Sequence, residues 1–205
     1  MSLNEFQRAM VELTLAPRRA SRLLHGDLET LAIYDLTERE RRRLLNVVHQ
    51  PGMSVNCTIA RGNRFEAIGE LFPMTCVLLE PVLRELLDEL WEENRPSNYQ
   101  FAGEEDAFIA TLREKIASGH LHIEYLEEIF QYELICSKMA QEIRNQTDTS
   151  PELSEIIEFE HSPELLLTPL SRLEAPPAGL PAGHYLARLV LRGMRFDVEM
   201  LSASS

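Results

Sequence analysis

Residues 125–143, YLEEIFQYELICSKMAQEI, decide the fold class of this chain because their apolar side chains recur at helical spacing. Successive members of the apolar stripe lie 4, 3, 4, 3 and 4 residues apart, so an α-helix would carry all of them on one face. They are Tyr125, Ile129, Tyr132, Cys136, Met139 and Ile143. The pattern predicts a long amphipathic helix that closes a helical body.

Helix signals also precede this stretch. Thr37 with Glu40 three residues later is a capping-box signature, and Pro81 opens a leucine-rich helix that runs to Glu93. The turn-rich segment 145–151, NQTDTSP, predicts a boundary after the body. We therefore predict a helical bundle domain over residues 1–147.

The chain beyond the boundary predicts a small β-rich domain over residues 148–205. Residues 185–191 and 194–201 read as the arms of a hairpin around Arg192-Gly193. The second arm alternates charged residues with apolar ones, which are predicted to line the inner face of the module: Met194, Phe196 and Val198. Residues 156–160 and 165–168 are predicted as further strands. The predicted fold class is α+β, mainly α, with an N-terminal helical bundle and a small C-terminal β module.

The charge of the chain is acidic and unevenly distributed. Its 205 residues carry a formal net charge of −13, while 44% are hydrophobic, which is typical of a globular protein. Residues 1–64 hold 10 basic and 7 acidic residues, or +3, and the remainder holds 10 and 26, or −16. Only the N-terminal third could offer a basic surface to nucleic acid. No apolar run predicts a membrane span or a secretory signal, so we expect a cytoplasmic protein.

No motif in the sequence indicates a reactive centre. A nucleophile elbow, a glycine-rich phosphate loop and a HExxH zinc motif are all missing, and His120 and His122 cannot share one face of a helix. The cysteines are far apart and predict buried free thiols: Cys57, Cys76 and Cys136. We expect no enzymatic activity, no metal and no cofactor.

Glu133 has apolar neighbours in its predicted helix, and a buried carboxylate needs a partner. Arg64, in an otherwise apolar helix, is the candidate partner. The pair would be either a structural ion pair or part of an interface or ligand contact. The hairpin offers a separate binding mechanism, because an edge strand can accept an extended peptide as an added strand. The alternative is that the loop 173–183 or another subunit covers that edge.

The order of short motifs resembles a small bacterial family named for a DNA-binding domain. These motifs follow the Thr37 box: Asn63-Arg64-Phe65, Leu71-Phe72-Pro73-Met74-Thr75, Gly103-Glu104-Glu105-Asp106-Ala107-Phe108 and the segment Tyr125 to Glu133. The best-understood members are partner subunits of multinuclear non-heme iron-dependent oxidative enzymes, as in methanobactin biosynthesis. Such partners contain an N-terminal helical bundle and a C-terminal β-rich domain.

The resemblance implies a non-catalytic accessory subunit in the biosynthesis of a peptide natural product. It would form a heterodimer with a TIM-barrel iron-dependent enzyme, and that enzyme would supply all of the iron ligands. The accessory subunit would help to hold the leader of a ribosomally made precursor peptide. We expect four residues to support the helical body or to contact the enzyme: Arg64, Phe72, Tyr132 and Glu133. The hairpin residues Met194, Phe196 and Val198 would serve the peptide site.

Two further functions are considered. A DNA-binding regulator would use Arg39, Arg41, Arg42 and Arg43, and it requires a contiguous basic face. The overall acidic charge makes nucleic acid the less expected partner. A purely structural homodimer would instead require an apolar, self-complementary patch.

Overall fold

The computed structural model describes residues 3–94, 103–145, 152–192 and 195–201. These ranges contain nine α-helices, one short 3-10 helix and three strands. The helices are α1 (Leu3–Leu15), α2 (Pro17–Leu24), the 3-10 helix (Leu28–Leu31), α3 (Glu38–Val48), α4 (Pro51–Gly69), α5 (Pro73–Leu79), α6 (Leu83–Glu93), α7 (Glu104–Ala117), α8 (Leu126–Asn145) and α9 (Pro163–Leu170). The strands are β1 (Glu152–Phe159), β2 (Tyr185–Arg192) and β3 (Arg195–Leu201). The fold is mainly helical with a small antiparallel sheet at the C-terminus, as predicted.

Local sequence signals fix several helix starts. At α3 the Thr37 N–H donates to Glu40 Oε2 at 2.8 Å and the Glu40 N–H donates to Thr37 Oγ1 at 3.3 Å, which confirms the capping box. Proline occupies the first position of α2, α5 and α9, where its missing N–H costs no intrahelical bond. No helix in the described part of the chain is long and apolar enough to cross a bilayer.

The chain divides into two compact units. The first comprises Met1–Ile68 and Val82–Arg113, and the second comprises Gly69–Pro81 and Glu114–Ser205. This division differs from the predicted boundary near residue 147, because α5 packs on α8 and α8 packs on β1. The second unit is therefore a helix-and-sheet unit, and independent folding of residues 148–205 stays a prediction.

The first unit is built around a helical core. One cluster joins apolar side chains of α1, α2, the 3-10 helix, the segment that follows it, α3 and α4: Ala9, Leu13, Ala20, Leu23, Leu31, Tyr34, Leu36, Leu44, Val48 and Met53. Each fully buried leucine there contributes about 1.5–3 kcal/mol of transfer free energy, so burial on this scale stabilises helices with modest intrinsic propensity. The apolar face of α6 is also buried and ends in Trp91.

The second unit carries the sheet, in the order β1-β2-β3 with both pairings antiparallel. Leu189 of the central strand lies opposite Glu155 on one side and Val198 on the other. Helix α8 of this unit packs on β1, where the Tyr132 and Phe159 rings lie 6.1 Å apart. Strand β1 contains the predicted strand 156–160 except for its last residue, and the predicted hairpin arms correspond to β2 and β3.

The predicted strand at 165–168 is wrong, because these residues form the middle of α9. Pro163 starts this helix, and the Leu165 and Leu166 N–H groups donate to the Ser162 carbonyl oxygen at 3.1 Å. Leu166 and Leu170 are both fully buried, one turn apart. A short apolar run is compatible with both a strand and a helix, and here packing of the buried leucines favours the helix.

Candidate functional site

Arg64 lies at the centre of a buried network in the first unit. Its side chain is 1% exposed, and its Nε and Nη2 donate to the two Glu104 carboxylate oxygens at 2.7 and 3.1 Å. It also donates to the Leu15 carbonyl at 2.9 Å and to the Asn94 carbonyl at 3.0 Å. Burial lowers the pKa of the guanidinium, and the bidentate Glu104 carboxylate acts in the opposite direction. The predicted pairing of Arg64 with Glu133 is wrong, because Glu104 at the first turn of α7 takes that place.

Glu133 lies in the second unit and has a different partner. It is 4% exposed, and its two carboxylate oxygens accept from the Met74 N–H at 2.7 Å and the Thr75 N–H at 2.8 Å. These amides belong to the first turn of α5, whose N-cap residue, Phe72, supplies no side-chain acceptor. Burial raises the pKa of Glu133, while the two amide bonds act against that shift. Glu133 therefore caps α5 from the neighbouring helix α8.

The two aromatic residues predicted for the body are also buried. Phe72 is fully buried with its ring centroid 5.7 Å from that of Phe130, and Tyr132 is 7% exposed against Phe159. With Arg64 and Glu133 they support the interior of their units. None of the four offers an open surface to a partner.

The described apolar side chains of β3 lie on the same sheet face as buried residues of β2, but they are more exposed than the predicted inner face would be. Val198 is 36% exposed and Met200 is 51% exposed, Phe196 is half-buried, and Met194 lies outside the described residues. Their cross-strand neighbours on β2, Leu191, Leu189 and Ala187, are at most 1% exposed. The apolar side chains on this face of the sheet are therefore buried on the central strand, β2. Those on β3, which is the edge strand, are partly exposed.

The outer edge of β3 forms no backbone hydrogen bond with the rest of the described chain beyond β2. The loop that was considered as a cover is fixed elsewhere. Its Gly179 N–H donates to Glu124 at 2.8 Å, and its Leu180 N–H donates to the Tyr125 hydroxyl at 2.8 Å. Both contacts hold the loop at the segment that leads into α8. The edge therefore offers unpaired N–H and C=O groups beside an exposed apolar row.

The structure contains a histidine–carboxylate pair, His161 with Glu128, that the sequence analysis did not predict. Glu128 Oε1 lies 2.7 Å from His161 Nδ1, and Glu128 Oε2 accepts from the Glu160 and His161 N–H groups at 3.1 and 3.2 Å. Tyr125 packs edge-on against the imidazole and has a φ of 65°, a strained value for this residue type. These side chains line a cavity of about 330 Å³. The partners are 33 residues apart, and no spacing rule links them.

The arginines proposed for DNA do not form an uninterrupted basic face. Arg42 pairs with Glu38 at 3.3 Å, and Arg41 Nε donates to the Leu36 carbonyl at 3.3 Å. Arginines earlier in the chain also form ion pairs with carboxylates. Arg18 lies near Glu85 and Glu89. Carboxylate partners are also present for Arg8, Arg19 and Arg22. Arg39 and Arg43 are exposed on the same helix. Carboxylates between the arginines weaken attraction to phosphate.

The cysteines are free thiols. Burial raises the pKa of Cys76 and of Cys136 to about 12, so both stay protonated at neutral pH and are poor nucleophiles. Within the ranges that the structure describes, no group of three or more His, Cys, Asp or Glu side chains could hold a metal ion.

Comparison with protein-family models, curated proteins and solved structures finds no match to this chain. The resemblance to partner subunits of iron-dependent enzymes stays a prediction that rests on the motifs quoted above.

Proposed function

We propose that this protein is a non-catalytic binding protein that holds an extended peptide along the outer edge of β3. The observation that carries the proposal is the open edge with its row of half-exposed apolar side chains, Phe196, Val198 and Met200. Strand addition satisfies the edge backbone groups and covers that row at once.

The dimensions of the edge define the peptide. β3 contains seven residues and spans about 23 Å, so it pairs with a peptide segment of similar length. Alternate side chains of the peptide would lie on the same face as Val198 and Met200 and extend the apolar face that begins over β2. The intervening side chains would lie on the face that holds Arg195, Asp197 and Glu199.

Charge on that second face argues for a peptide rather than a second copy of this chain. An antiparallel pairing of two β3 strands centred on Asp197, Val198 or Glu199 places carboxylate opposite carboxylate. A peptide with apolar residues at alternate positions and lysines between them avoids this repulsion. We therefore expect a basic, alternating peptide to bind better than β3 binds itself.

The resemblance supplies a candidate role for such a peptide, the leader of a precursor that a TIM-barrel iron-dependent enzyme modifies. That partnership is part of the proposal. The strand-addition mechanism requires only an extended peptide, so the two parts can be tested separately.

A calorimetric titration of the full chain tests the mechanism. The probe is a synthetic peptide in which valine alternates with lysine and threonine, and the control peptide has the same side chains but N-methyl groups on the amides of one edge. We expect the first to bind and the second not to bind, because N-methylation removes the main-chain donors. Equal binding of both peptides, no binding of either, or dimerisation of the chain through β3 would contradict the proposal.

A matched pair of variants locates the site. Val198→Thr with Met200→Thr keeps β propensity but removes the apolar row, and it should weaken peptide binding roughly tenfold. Ile156→Thr is the control, because Ile156 is also an exposed strand residue, 61% exposed, but lies on β1 and on the other face of the sheet. A loss of affinity in the control equal to that in the double variant would place the peptide elsewhere.

A further inference from the structure

The face of α4 that points away from the core carries an exposed apolar stripe. Val55 is 58% exposed, and Ile59, one turn further along the helix, is 56% exposed. Gly52, Gly62 and Glu66 continue the same line, so all five residues share one face of the helix. The buried residues of α4 lie on the opposite face: Met53, Ala60, Arg64 and Ile68.

This outward face has almost no charge. The chain carries a formal net charge of −13, yet residues 51–60, PGMSVNCTIA, contain no charged residue. The exposed residues beside the stripe are polar and uncharged: Ser54, Asn56, Thr58 and Asn63. The Thr58 hydroxyl already donates to the Ser54 carbonyl oxygen at 3.0 Å, so it stays satisfied when this flank is buried. Such a surface can be covered by another protein without desolvation of ions.

Gly62 gives a separate reason to expect a partner on this face. Glycine is less favourable than alanine in the interior of a helix. The φ of Gly62 lies outside the left-handed region, and a Cβ atom there would meet nothing within 4 Å. Neither backbone conformation nor packing among the described residues therefore requires glycine at this position. Close approach of another backbone does require it.

We propose that α4 packs antiparallel against α4 of a second copy of this chain. The stripe from Gly52 to Gly62 reads the same in both directions, because its spacings are 3, 4 and 3 residues. A two-fold axis at the level of Cys57 places Val55 opposite Ile59 of the second copy. The same axis places Gly52 opposite Gly62 of the second copy. The large side chains thus meet near the axis, and the glycines let the helices approach on either side of it.

Charges at the ends of the stripe favour the antiparallel orientation. Glu66 is exposed near the C-terminal end of α4, and the two-fold axis places it beside the start of α4 in the second copy. The positive end of the helix dipole lies there, next to the exposed His49. Parallel packing would instead bring the two Glu66 carboxylates together.

Sedimentation velocity of the full chain over a range of concentrations measures the dimer. A single pair of helices buries less surface than a standard interface, so we expect a reversible dimer that is half formed at roughly 10–100 µM. A chain that stays monomeric up to about 1 mM would overturn the proposal. The stripe belongs to the first unit and β3 to the second, so this result is separate from the peptide titration.

A matched pair of lysine variants locates the contact. Ile59→Lys alters both halves of a symmetric interface and should weaken the dimer roughly tenfold or more. Ile33→Lys is the control, because Ile33 is 54% exposed in the same unit but lies in a turn outside α4. It should leave the dimer unchanged. Equal weakening by both variants would place the contact elsewhere.

Gly62→Ala separates the contact from the stability of the helix. Alanine should raise the unfolding temperature of the dilute monomer, because it favours the helix and its Cβ meets nothing there. The same Cβ should hold the two helices apart and weaken the dimer roughly fivefold. A dimer that keeps its wild-type strength in this variant would contradict close packing of the helices.

Oxidative cross-linking tests the orientation. Val55→Cys and Ile59→Cys chains are mixed in equal amounts and oxidised, and the wild-type chain with its free cysteines supplies the background. Mass spectrometry should find disulfides that join the two different positions well beyond their random share, because only antiparallel packing places these positions opposite each other. An excess of disulfides that join identical positions would indicate parallel packing and overturn the proposal.

Discussion

Among the residues that the structure describes, each of the two units buries one glutamate, and the two glutamates have different hydrogen-bond partners. In the first unit Glu104 is 4% exposed and faces a cation, Arg64. The Arg64 guanidinium donates one hydrogen bond to each of the two Glu104 carboxylate oxygens. In the second unit Glu133 is equally buried and has no ion pair with a described residue, and two backbone amides of α5 are its partners. Equal burial therefore says little about what a buried carboxylate does.

The difference lies in what each group holds together. Arg64 joins α4 to α7 through Glu104 and also binds the ends of α1 and α6 through the Leu15 and Asn94 carbonyls. Glu133 joins α8 to the first turn of α5. Removal of the Arg64 guanidinium should therefore disturb four helices at once, while removal of the Glu133 carboxylate should disturb the start of one helix.

The largest expected effect follows from Arg64→Met. This substitution leaves Glu104 buried without a cation and leaves two carbonyl groups without a donor, so we expect a loss of about 3–5 kcal/mol in the free energy of unfolding. Urea denaturation followed by circular dichroism measures it. The chain is expected to lose much of its cooperative transition if the loss approaches its total stability.

The double variant Arg64→Met with Glu104→Leu is the matched control for this prediction. It removes the unpaired charge, so it should recover part of the stability that Arg64→Met loses. A single variant as stable as the wild-type chain would show that the pair does not hold the four helices. A double variant no more stable than the single one would show that the carbonyl contacts matter more than the charge.

A smaller effect is expected from Glu133→Gln. The amide oxygen can accept from one N–H of α5, but the side-chain NH₂ then faces the other, so we expect a loss of about 1–2 kcal/mol. Chemical denaturation at neutral pH measures the change. Glu127→Gln, an exposed position in the first turn of the same helix, is the control and should stay within about 0.5 kcal/mol of the wild type. Equal losses in both variants would remove the distinction between the buried cap and an ordinary surface glutamate.

The sequence predicted those features whose partners are close in the chain. The capping box at Thr37 and the strand β3 follow from local patterns, and both were found where expected. The Arg64 partner was assigned wrongly because Glu104 is 40 residues away and only tertiary packing selects it from the many glutamates. Three acidic residues lie in the first turn of α7, where the helix dipole alone favours them, so the sequence does not single out Glu104 as the partner.

Exposure was harder to predict than secondary structure. Alternation in β3 identified one apolar face, but it could not show that the face continues past the part of the sheet that the helices cover.

The smallest effect concerns pH, and a third glutamate makes the comparison sharper. Glu40 accepts hydrogen bonds from the Thr37 N–H and hydroxyl, yet it lies near the surface, and these bonds lower its pKa. A lowered folded-state pKa gives a contribution that is present at neutral pH and is lost as pH falls through that pKa. Burial raises the pKa of Glu133, so its contribution is fullest at low pH and declines as pH rises through the folded-state pKa.

The stability differences between the wild type and each glutamine variant should therefore slope in opposite directions with pH. For Glu40→Gln the difference should shrink toward acid, and for Glu133→Gln it should shrink toward alkali. Unfolding measured at several pH values on dilute protein gives both slopes. If the Glu133→Gln difference instead shrinks toward acid, the two α5 amides outweigh desolvation and hold the buried carboxylate in its charged form. Glu133 would then differ from Glu40 only in degree, and burial would not be what separates the two caps.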